Sequence, residues 1–230
     1  MKNMKRVEIS VLLPCLNEEM GVGICIAKIQ EVFERENLSG EIIVIDNGSI
    51  DRTVEVAKSF SGVKIINVSK KGYGNAYLAG FKQASGDIIV MGDADNTYDF
   101  YDIPRFLKEL QTADFVIGNR KYTQNDSSPV LHRYVGRPVF SILLRWLFHL
   151  NISDSHCGYG AIKKSALDKL NLKSEGMELA SEILIRAKKN KLVIKEIPIK
   201  YNPRIGQSKL RTFSDGARHL KLIGKELVKQ

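Results

Sequence analysis

The stretch IIVMGDADNTYDFYD, residues 88–102, joins four apolar residues to four aspartates, at positions 93, 95, 99 and 102. The apolar part is short and rich in β-branched side chains, which predicts a buried strand. A group of carboxylates at the end of such a strand has three interpretations: a calcium loop, a solvated turn, or a site for a metal ion and a phosphate.

The spacing of the aspartates excludes the calcium loop, which needs glycine at its sixth position and glutamate at its twelfth. Counted from Asp93, those positions hold Tyr98 and Pro104. In extended geometry Asp93 and Asp95 point to the same side and offer two hard oxygen ligands, of the kind that Mg²⁺ or Mn²⁺ prefers. The solvated turn and the metal–diphosphate site both remain open from these residues alone.

Apolar runs like 88–91 recur along the chain, with stretches of helical spacing between them. This alternation predicts an α/β fold with a mostly parallel sheet and helices on both faces, in which ligands bind at the carboxyl ends of the strands. The predicted strands are residues 9–13, 42–45, 63–68, 88–91, 115–117 and 192–199. The predicted helices are residues 19–36, 51–60, 75–84, 103–111, 139–150 and 177–189, with a further helix near the C-terminus and with Asp99 and Asp102 capping the fourth.

Composition narrows the class of protein and its partners. The 230 residues, 43% of them hydrophobic, can form a sizeable core, in one large α/β domain or in two small ones. Lys and Arg number 35 against 26 Asp and Glu, and the net charge of +9 predicts an anionic partner. Three scattered cysteines argue against a disulfide framework or a zinc site. We find no signal peptide and no run of 18 apolar residues that would span a bilayer.

A second acidic segment, IDNGSIDRT at residues 45–53, follows the second predicted strand. Gly48 suits a tight turn, and Ser49 or Asp51 can cap the next helix. Asp46 lies at the carboxyl end of the strand and is expected to face the ligand crevice, where it can bind a ribose hydroxyl or a base N–H.

The segment KKGYGNAYLAGF, residues 70–81, joins a strand to a helix through two glycines. A dinucleotide-binding fingerprint needs a third glycine at position 77, where the chain has Tyr77, and the first turn LPCLNEE has no glycine. An NAD-type dehydrogenase is therefore disfavoured. The acidic LPCLNEE also disfavours a sugar-phosphate nucleotidyltransferase, whose first loop is rich in glycine and basic residues.

Six segments, in their order and separations, resemble the family 2 glycosyltransferases of the dolichyl-phosphate mannose or glucose synthase-like branch. They are LPCLNEE, IDNGSIDRT, KGYGNAYLAGFKQASGD, GDADNTYDF, IGNRKY and RIGQSKL. The resemblance covers about residues 7–215. It implies a GT-A fold, a nucleotide-sugar donor, Mg²⁺ or Mn²⁺ as cofactor, and inverting transfer of the sugar to a polyprenyl phosphate. The segments GDADNTYDF and HRYVG slightly favour a UDP-sugar over GDP-mannose.

At the matched positions, the resemblance implies roles for individual residues of this chain. The nucleotide-sugar site would comprise Pro14, Leu16, Glu18, Ile45, Asp46, Gly72, Asp93, Ala94 and Asp95. Asp93 and Asp95 would hold the metal, and the catalytic residues would be Asp95, Arg120 and Glu182. The acceptor phosphate would meet Arg120, Arg133, Arg137, Arg204 and Lys209. The chain departs from the family at Thr97, where relatives often have glutamine, and at Asn47, where many have a second aspartate.

The chemistry of the acceptor separates the leading hypothesis from its rivals. A phosphate monoester is already ionised at neutral pH, since its second pKa is about 6, so it needs cations rather than a base. A family 2 enzyme acting on a saccharide hydroxyl would need a general base, for which Glu182 and Asp154 are candidates. A non-catalytic basic protein that binds membrane or nucleic acid would leave GDAD unexplained.

Residues 139–150, VFSILLRWLFHL, are apolar almost all round and predict either a core helix or an interfacial helix. In the interfacial interpretation Trp146 is the anchor, and Arg137 and Arg145 lie near lipid phosphates. The resemblance favours this second interpretation. We therefore expect one domain, 1–230, with residues 1–122 binding the nucleotide sugar and 123–230 facing the acceptor and membrane. We expect peripheral attachment at the cytoplasmic face, an integral-membrane partner as an option, and no nucleic acid.

Overall fold

The computed structural model describes residues 7–120, 137–206 and 212–228, except for the side chains of 137, 212 and 213. The strands are β1 Ile9–Cys15, β2 Gly40–Asp46, β3 Val63–Asn67, β4 Ile88–Met91, β5 Phe115–Asn119, β6 Gly160–Lys163 and β7 Ile194–Pro198. The helices are α1 Val22–Arg35, α2 Thr53–Lys58, α3 Tyr73–Gln83, α4 Ile103–Leu110, α5 Arg137–Phe148, α6 Lys164–Leu167, α7 Leu179–Lys189 and α8 Thr212–Val228. A 3₁₀ turn, Phe100–Asp102, leads into α4.

The strands of the described residues form one seven-stranded sheet in the order β3-β2-β1-β4-β6-β5-β7. The pairs β1–β2, β2–β3, β1–β4 and β5–β7 are parallel, and β6 is antiparallel to β4 and β5. The chain moves outward from β1 through β2 to β3 and then returns to the other side of β1 for β4. This reversal opens a crevice at the carboxyl ends of β1 and β4, where ligands bind in such sheets.

The hydrophobic core is formed by the apolar runs of the strands and by apolar residues that recur at helical spacing on the helices. The central runs Val11–Leu13 and Ile42–Ile45 are fully enclosed or nearly so, as expected of parallel strands covered on both faces. On α1 the buried residues are Val22, Cys25, Ile26, Ile29 and Val32, which recur at helical spacing and face the sheet. The predicted mostly parallel α/β sheet with helices on its faces is confirmed.

The predicted elements are all present, with bounds shifted by a few residues, and two further elements appear. Strand β6 and the short helix α6 lie in residues 160–167, which the sequence pattern left unassigned. Ala161 and Ile162 are buried because β6 lies between β4 and β5 and makes a ladder with each. Its strand conformation thus comes from its neighbours rather than from local alternation.

Candidate active site

The site is built on three strand ends that the parallel register brings to one edge of the sheet. Cys15 pairs with Asp46 across β1 and β2, and Leu12 pairs with Met91 across β1 and β4. The turns that follow these strands, residues 16–20, 47–52 and 92–99, therefore lie side by side. The acidic segments recognised in the sequence meet at the reversal in strand order.

Hydrogen bonds between main chain and side chains fix the first turn against the second. Glu18 N donates to Thr53 Oγ1 at 2.8 Å, and Glu19 N donates to Asp51 Oδ2 at 3.1 Å. The other oxygen of Asp51 accepts from Thr53 N at 3.0 Å, at the start of α2. Asp51 was one of two predicted caps; the helix begins one residue later than that role requires, with Arg52 at the N-cap, and the Asp51 carboxylate instead bonds to backbone amides of both segments. The backbone around Glu18 is consequently held before any ligand binds.

Asp46 is 7% exposed and shapes the turn after β2. Its Oδ2 accepts from Gly48 N at 3.2 Å and its Oδ1 from Ser49 N at 3.1 Å. Gly48 has a φ of +90°, a conformation that glycine adopts readily. Asp46 lies at the carboxyl end of β2, and the orientation of its carboxylate is set by these two amides.

Asn47 ties the turn after β2 to the loop after β3. Its Nδ2 donates to Val68 O and to Lys70 O, both at 2.9 Å, and its Oδ1 accepts from Gly72 N at 2.7 Å. The sequence marked this position only as a departure from the family's pattern. An amide is both donor and acceptor, which an aspartate is not, so Asn47 can hold three backbone groups of this loop.

Both carboxylate oxygens of Asp95 have partners. Oδ1 accepts from Thr97 N at 2.9 Å and from Thr97 Oγ1 at 2.5 Å, and Oδ2 accepts from Arg204 Nη1 at 2.6 Å. The other end of the same guanidinium donates to Glu18 Oε1 at 2.5 Å. Arg204, predicted to meet an acceptor phosphate, thus lies between Asp95 and Glu18, two carboxylates that were predicted to belong to the nucleotide-sugar site. Asp95 and Glu18 are nearly enclosed, at 2% and 7% exposure.

Asp93 lies in surroundings that favour its neutral form. Burial raises the pKa of its carboxyl to about 7, and the negative charges of Asp95 and Glu18 act in the same direction. Arg204 and Arg120 lower this pKa without reversing the shift. Three carboxylates in this crevice therefore exceed the cationic charge that faces them.

This excess of negative charge and the oxygen-only donor set fit a hard divalent cation such as Mg²⁺ or Mn²⁺. Among the described residues, no group of three or more His, Cys, Asp or Glu side chains is close enough to form a complete protein site. Asp93 and Asp95 would therefore share the ion with other oxygen ligands, which diphosphate oxygens can supply.

Gly158, which precedes β6, closes the crevice next to Asp93. Gly158 N donates to Tyr98 Oη at 2.9 Å. A methyl group at position 158 would lie 3.2 Å from Asp93 Oδ2 and 3.0 Å from Tyr73 Oη, so the backbone comes close to the carboxylate only because no side chain intervenes. A cavity of about 20 Å³, lined in part by Tyr73, Gly158 and Leu179, adjoins this point. The sequence pattern gave no indication that Gly158 would lie next to Asp93.

Arg120, at the end of β5, is paired with Asp154 inside the protein. Arg120 Nε donates to Asp154 Oδ2 at 2.7 Å and Nη2 donates to Oδ1 at 2.8 Å, while both residues are less than a tenth exposed. Burial disfavours the charge of Arg120, but the Asp154 carboxylate outweighs this effect and holds the pKa of the guanidinium well above its usual range. The guanidinium also lies 5.3 Å from the centre of the Tyr201 ring. This pairing was not foreseen from the sequence.

Glu182, in the first turn of α7, holds the loop that precedes that helix. Its Oε2 accepts from Lys173 N at 2.9 Å and from Ser174 N at 2.7 Å, and the residue is 2% exposed. The same loop packs on α3, where Glu175 O accepts from Asn75 N at 3.0 Å. The carboxylate of Glu182 therefore has a structural task in this loop.

The remaining predicted residues divide into three groups. Pro14 and Leu16 are half-buried at the end of β1, and Gly72, with a φ of +139°, precedes α3 at the same edge. Ile45 and Ala94 are enclosed in the core, so only their backbone can reach a ligand. Arg133 and Lys209 lie outside the described residues, as does the side chain of Arg137.

Helix α5 presents an apolar face to solvent. Val139, Ile142 and Trp146 are 46%, 53% and 79% exposed, and they recur at helical spacing on one side. Leu144 and Phe148 on the same helix are buried in the core. The helix therefore contributes to the core on one face and exposes apolar side chains on the other. None of the helices in the described ranges is long and apolar enough to cross a bilayer.

Similar proteins occur among known families, curated relatives and solved structures. The family model of "Glycosyl transferase family 2" matches residues 10–170.

The hexosyltransferase Agl6 of low-salt glycan biosynthesis from Haloferax volcanii is 39% identical over 219 residues, which are 94% of this chain and 52% of that protein. A dolichyl-phosphate hexose transferase of the same organism is 31% identical, covering 96% and 93%. The dolichol-phosphate mannosyltransferase of Pyrococcus furiosus is 31% identical, covering 93% and 63%. The chain thus spans about half the length of the first relative and nearly all of the second.

Among solved structures, glucosyl-3-phosphoglycerate synthase from Mycobacterium tuberculosis superposes with a TM-score of 0.74. The match is 22% identical and covers 97% of this chain and 78% of that one, whose structure is a complex with Mn²⁺, UDP and phosphoglyceric acid. At this identity the likeness concerns the fold, and it confirms the predicted GT-A architecture.

Proposed function

The chain belongs to glycosyl transferase family 2, and from this membership we propose that it transfers a hexose from a nucleoside-diphosphate sugar to a polyprenyl phosphate. One observation carries the proposal. The acidic side chains Glu18, Asp93 and Asp95 interact at the switch in strand order, and Asp46 ends the neighbouring strand, while Asp154 and Glu182, the two candidate bases, are engaged by structural partners.

The proposal of a nucleotide-sugar donor is supported by the negative charges at the crevice. Asp93 and Asp95 would hold Mg²⁺ or Mn²⁺, which when bound would stabilise the negative charge that develops on the departing diphosphate. Glu18 and Asp46 line the nucleotide side, and the amides of residues 18, 48 and 49 keep that side rigid. The relative crystallised with Mn²⁺ and UDP supports a nucleotide donor of this kind.

The choice of a phosphate acceptor is supported by the contacts of the two candidate bases, Asp154 and Glu182. Asp154 is bound in two places by Arg120, and Glu182 accepts two backbone N–H groups. Neither carboxylate is well placed to take a proton from a sugar hydroxyl, whereas an ionised phosphate gives up no proton. The names of the Haloferax and Pyrococcus relatives, a dolichyl-phosphate hexose transferase and a dolichol-phosphate mannosyltransferase, support the same acceptor class.

A donor and acceptor screen tests this proposal. The purified chain would be incubated with UDP-glucose, UDP-N-acetylglucosamine or GDP-mannose, a short polyprenyl phosphate, and Mn²⁺ or Mg²⁺. We expect a lipid-linked hexose with one of these donors and no product without the metal. If no nucleotide sugar is consumed, or if a saccharide serves and the lipid phosphate does not, the proposal is wrong.

The substitution Glu182→Gln separates the phosphate acceptor from the hydroxyl acceptor. The carbonyl oxygen of glutamine can still accept from Lys173 N and Ser174 N, so the loop should keep its place. A general base contributes about 10²–10⁴-fold to a rate, and we expect the variant to lose far less than this. Initial rates with saturating donor measure the effect, and Glu175→Gln in the same loop is the control. A loss of turnover in a folded Glu182→Gln protein would support the saccharide acceptor instead.

The exposed face of α5 supports peripheral attachment to a membrane, which we place at the cytoplasmic face. Trp146 is 79% exposed beside Val139 and Ile142, and an indole ring is well suited to the headgroup region. We expect Trp146→Ala to weaken binding to vesicles with anionic lipid about tenfold, measured by co-sedimentation. Val193→Ala, at a half-exposed apolar residue before β7, should leave binding unchanged. Equal binding by the native chain and Trp146→Ala would remove α5 as the contact.

A further inference from the structure

Residues 201–206 form a strap that crosses the loop bearing Asp93 and Asp95. Asn202 N donates to Thr97 O at 2.7 Å, and Ile205 N donates to Asp95 O at 3.0 Å. Tyr201 and Tyr98 also form an antiparallel bridge. The backbone on both sides of Arg204 is thereby attached to the loop, and its side chain is directed at the carboxylates.

The guanidinium of Arg204 binds Oδ2 of Asp95, which is the carboxylate oxygen that Thr97 does not hold. Thr97 holds Oδ1 of Asp95 through two hydrogen bonds, and Arg204 holds Oδ2. The same guanidinium bridges to Glu18, so one planar fork joins two nearly enclosed carboxylates. Each contact is a single hydrogen bond between two charged groups, and such bonds are roughly twice as strong as those between neutral groups.

We propose that Arg204 is an internal cation that holds the donor site in the unliganded protein and must leave Asp95 when a divalent metal binds. This inference rests on the proposed function and specifies how its metal site is loaded. Glu18, Asp93 and Asp95 together need a positive charge, and Arg204 supplies it in the absence of ligands. A guanidinium and a divalent ion that are both held at Oδ2 of Asp95 would repel each other at close range, so the arginine and the metal compete.

The exchange has a consequence for the acceptor. Once Arg204 leaves Asp95, its fork can bind a phosphate group, which it matches as well as it matches a carboxylate. In this view the Arg204 side chain has two states. In one it contacts Glu18 and Asp95, and in the other it contacts the acceptor phosphate, as the sequence predicted. Loading of the metal and donor would prepare the site for the acceptor.

Binding of Mn²⁺ to the whole chain without nucleotide, sugar or lipid tests the competition, with free Mn²⁺ measured by electron paramagnetic resonance. We expect Arg204→Gln to bind Mn²⁺ about tenfold more tightly than the native chain, since a hydrogen-bonded charge pair no longer has to be broken. Arg204→Lys keeps the charge but not the fork, and it should fall between the two. Arg35→Gln, which removes an equal charge from an exposed arginine of α1, should bind as the native chain does.

Three results would overturn the inference. The first is Mn²⁺ affinity in Arg204→Gln that is unchanged or weaker. The second is Arg204→Lys equal to the native chain, since the gain in Arg204→Gln would then be a general effect of charge. The third is tight binding that persists when Asp95→Asn is added to Arg204→Gln, since the ion would then lie elsewhere. Because the assay needs no turnover, competition at Asp95 without consumption of any nucleotide sugar would support the exchange and reject the proposed function.

Discussion

The substitution Asp95→Asn is expected to lower kcat/KM for sugar transfer by about a thousandfold or more. Losing a group that stabilises charge in the transition state typically costs about 10²–10³-fold, and here the lost group would also hold the metal. Asparagine keeps the shape of the side chain and an oxygen that can still accept from Thr97 N. The expected loss is therefore one of charge at the crevice rather than of the loop's conformation.

The same loop provides a matched control. Asp99 lies four positions further along and accepts from Tyr101 N at 3.4 Å, at the start of the 3₁₀ turn, rather than facing Asp93. Asp99→Asn should therefore retain most of the activity. Steady-state kinetics with saturating Mn²⁺, together with circular dichroism of each variant, separate catalysis from folding. Full activity of Asp95→Asn would reject the metal site and, with it, the mechanism proposed for the donor.

The local sequence pattern was enough to predict which strand ends form the site. Strand β4 has the predicted bounds because four apolar residues end at a glycine followed by carboxylates. Asp46, Asp93 and Asp95 could be placed at one edge because parallel strands connected by helices bring their carboxyl ends together. The contact of Asp51 with Thr53 N and the half-exposed helix α5 also follow from residue types and spacing that act within a few positions.

The partners of these residues could not be predicted in the same way. Arg204 contacts Glu18 across 186 positions of the chain and Asp95 across 109, and nothing in the local pattern of RIGQSKL specifies which carboxylates it meets. The pairing depends on β7, which delivers the strap to the crevice after joining β5 in the sheet. Likewise Gly158 lies beside Asp93 only because β6 inserts between β4 and β5.

The substitution Asp154→Ala is expected to lower the free energy of unfolding by about 3–5 kcal/mol, which is the usual cost of leaving one partner of a buried ion pair uncompensated. Arg120 is 7% exposed, and its Nε, its Nη2 and its backbone N all donate to Asp154. Nearby Tyr201 can offer only the face of its ring to the remaining charge. For a chain of 230 residues this loss corresponds to a decrease in Tm of roughly 10 °C.

Urea denaturation of the native chain and its variants measures this effect. Glu55→Ala removes the partner of Arg52 from an exposed ion pair, and it should change stability very little because water replaces the lost contact. The double substitution Arg120→Met with Asp154→Leu should recover much of the stability, since two apolar side chains leave no buried charge unpaired. If Asp154→Ala is no more destabilising than Glu55→Ala, Arg120 reaches water in solution and would then be available to an acceptor phosphate even without ligand-induced movement.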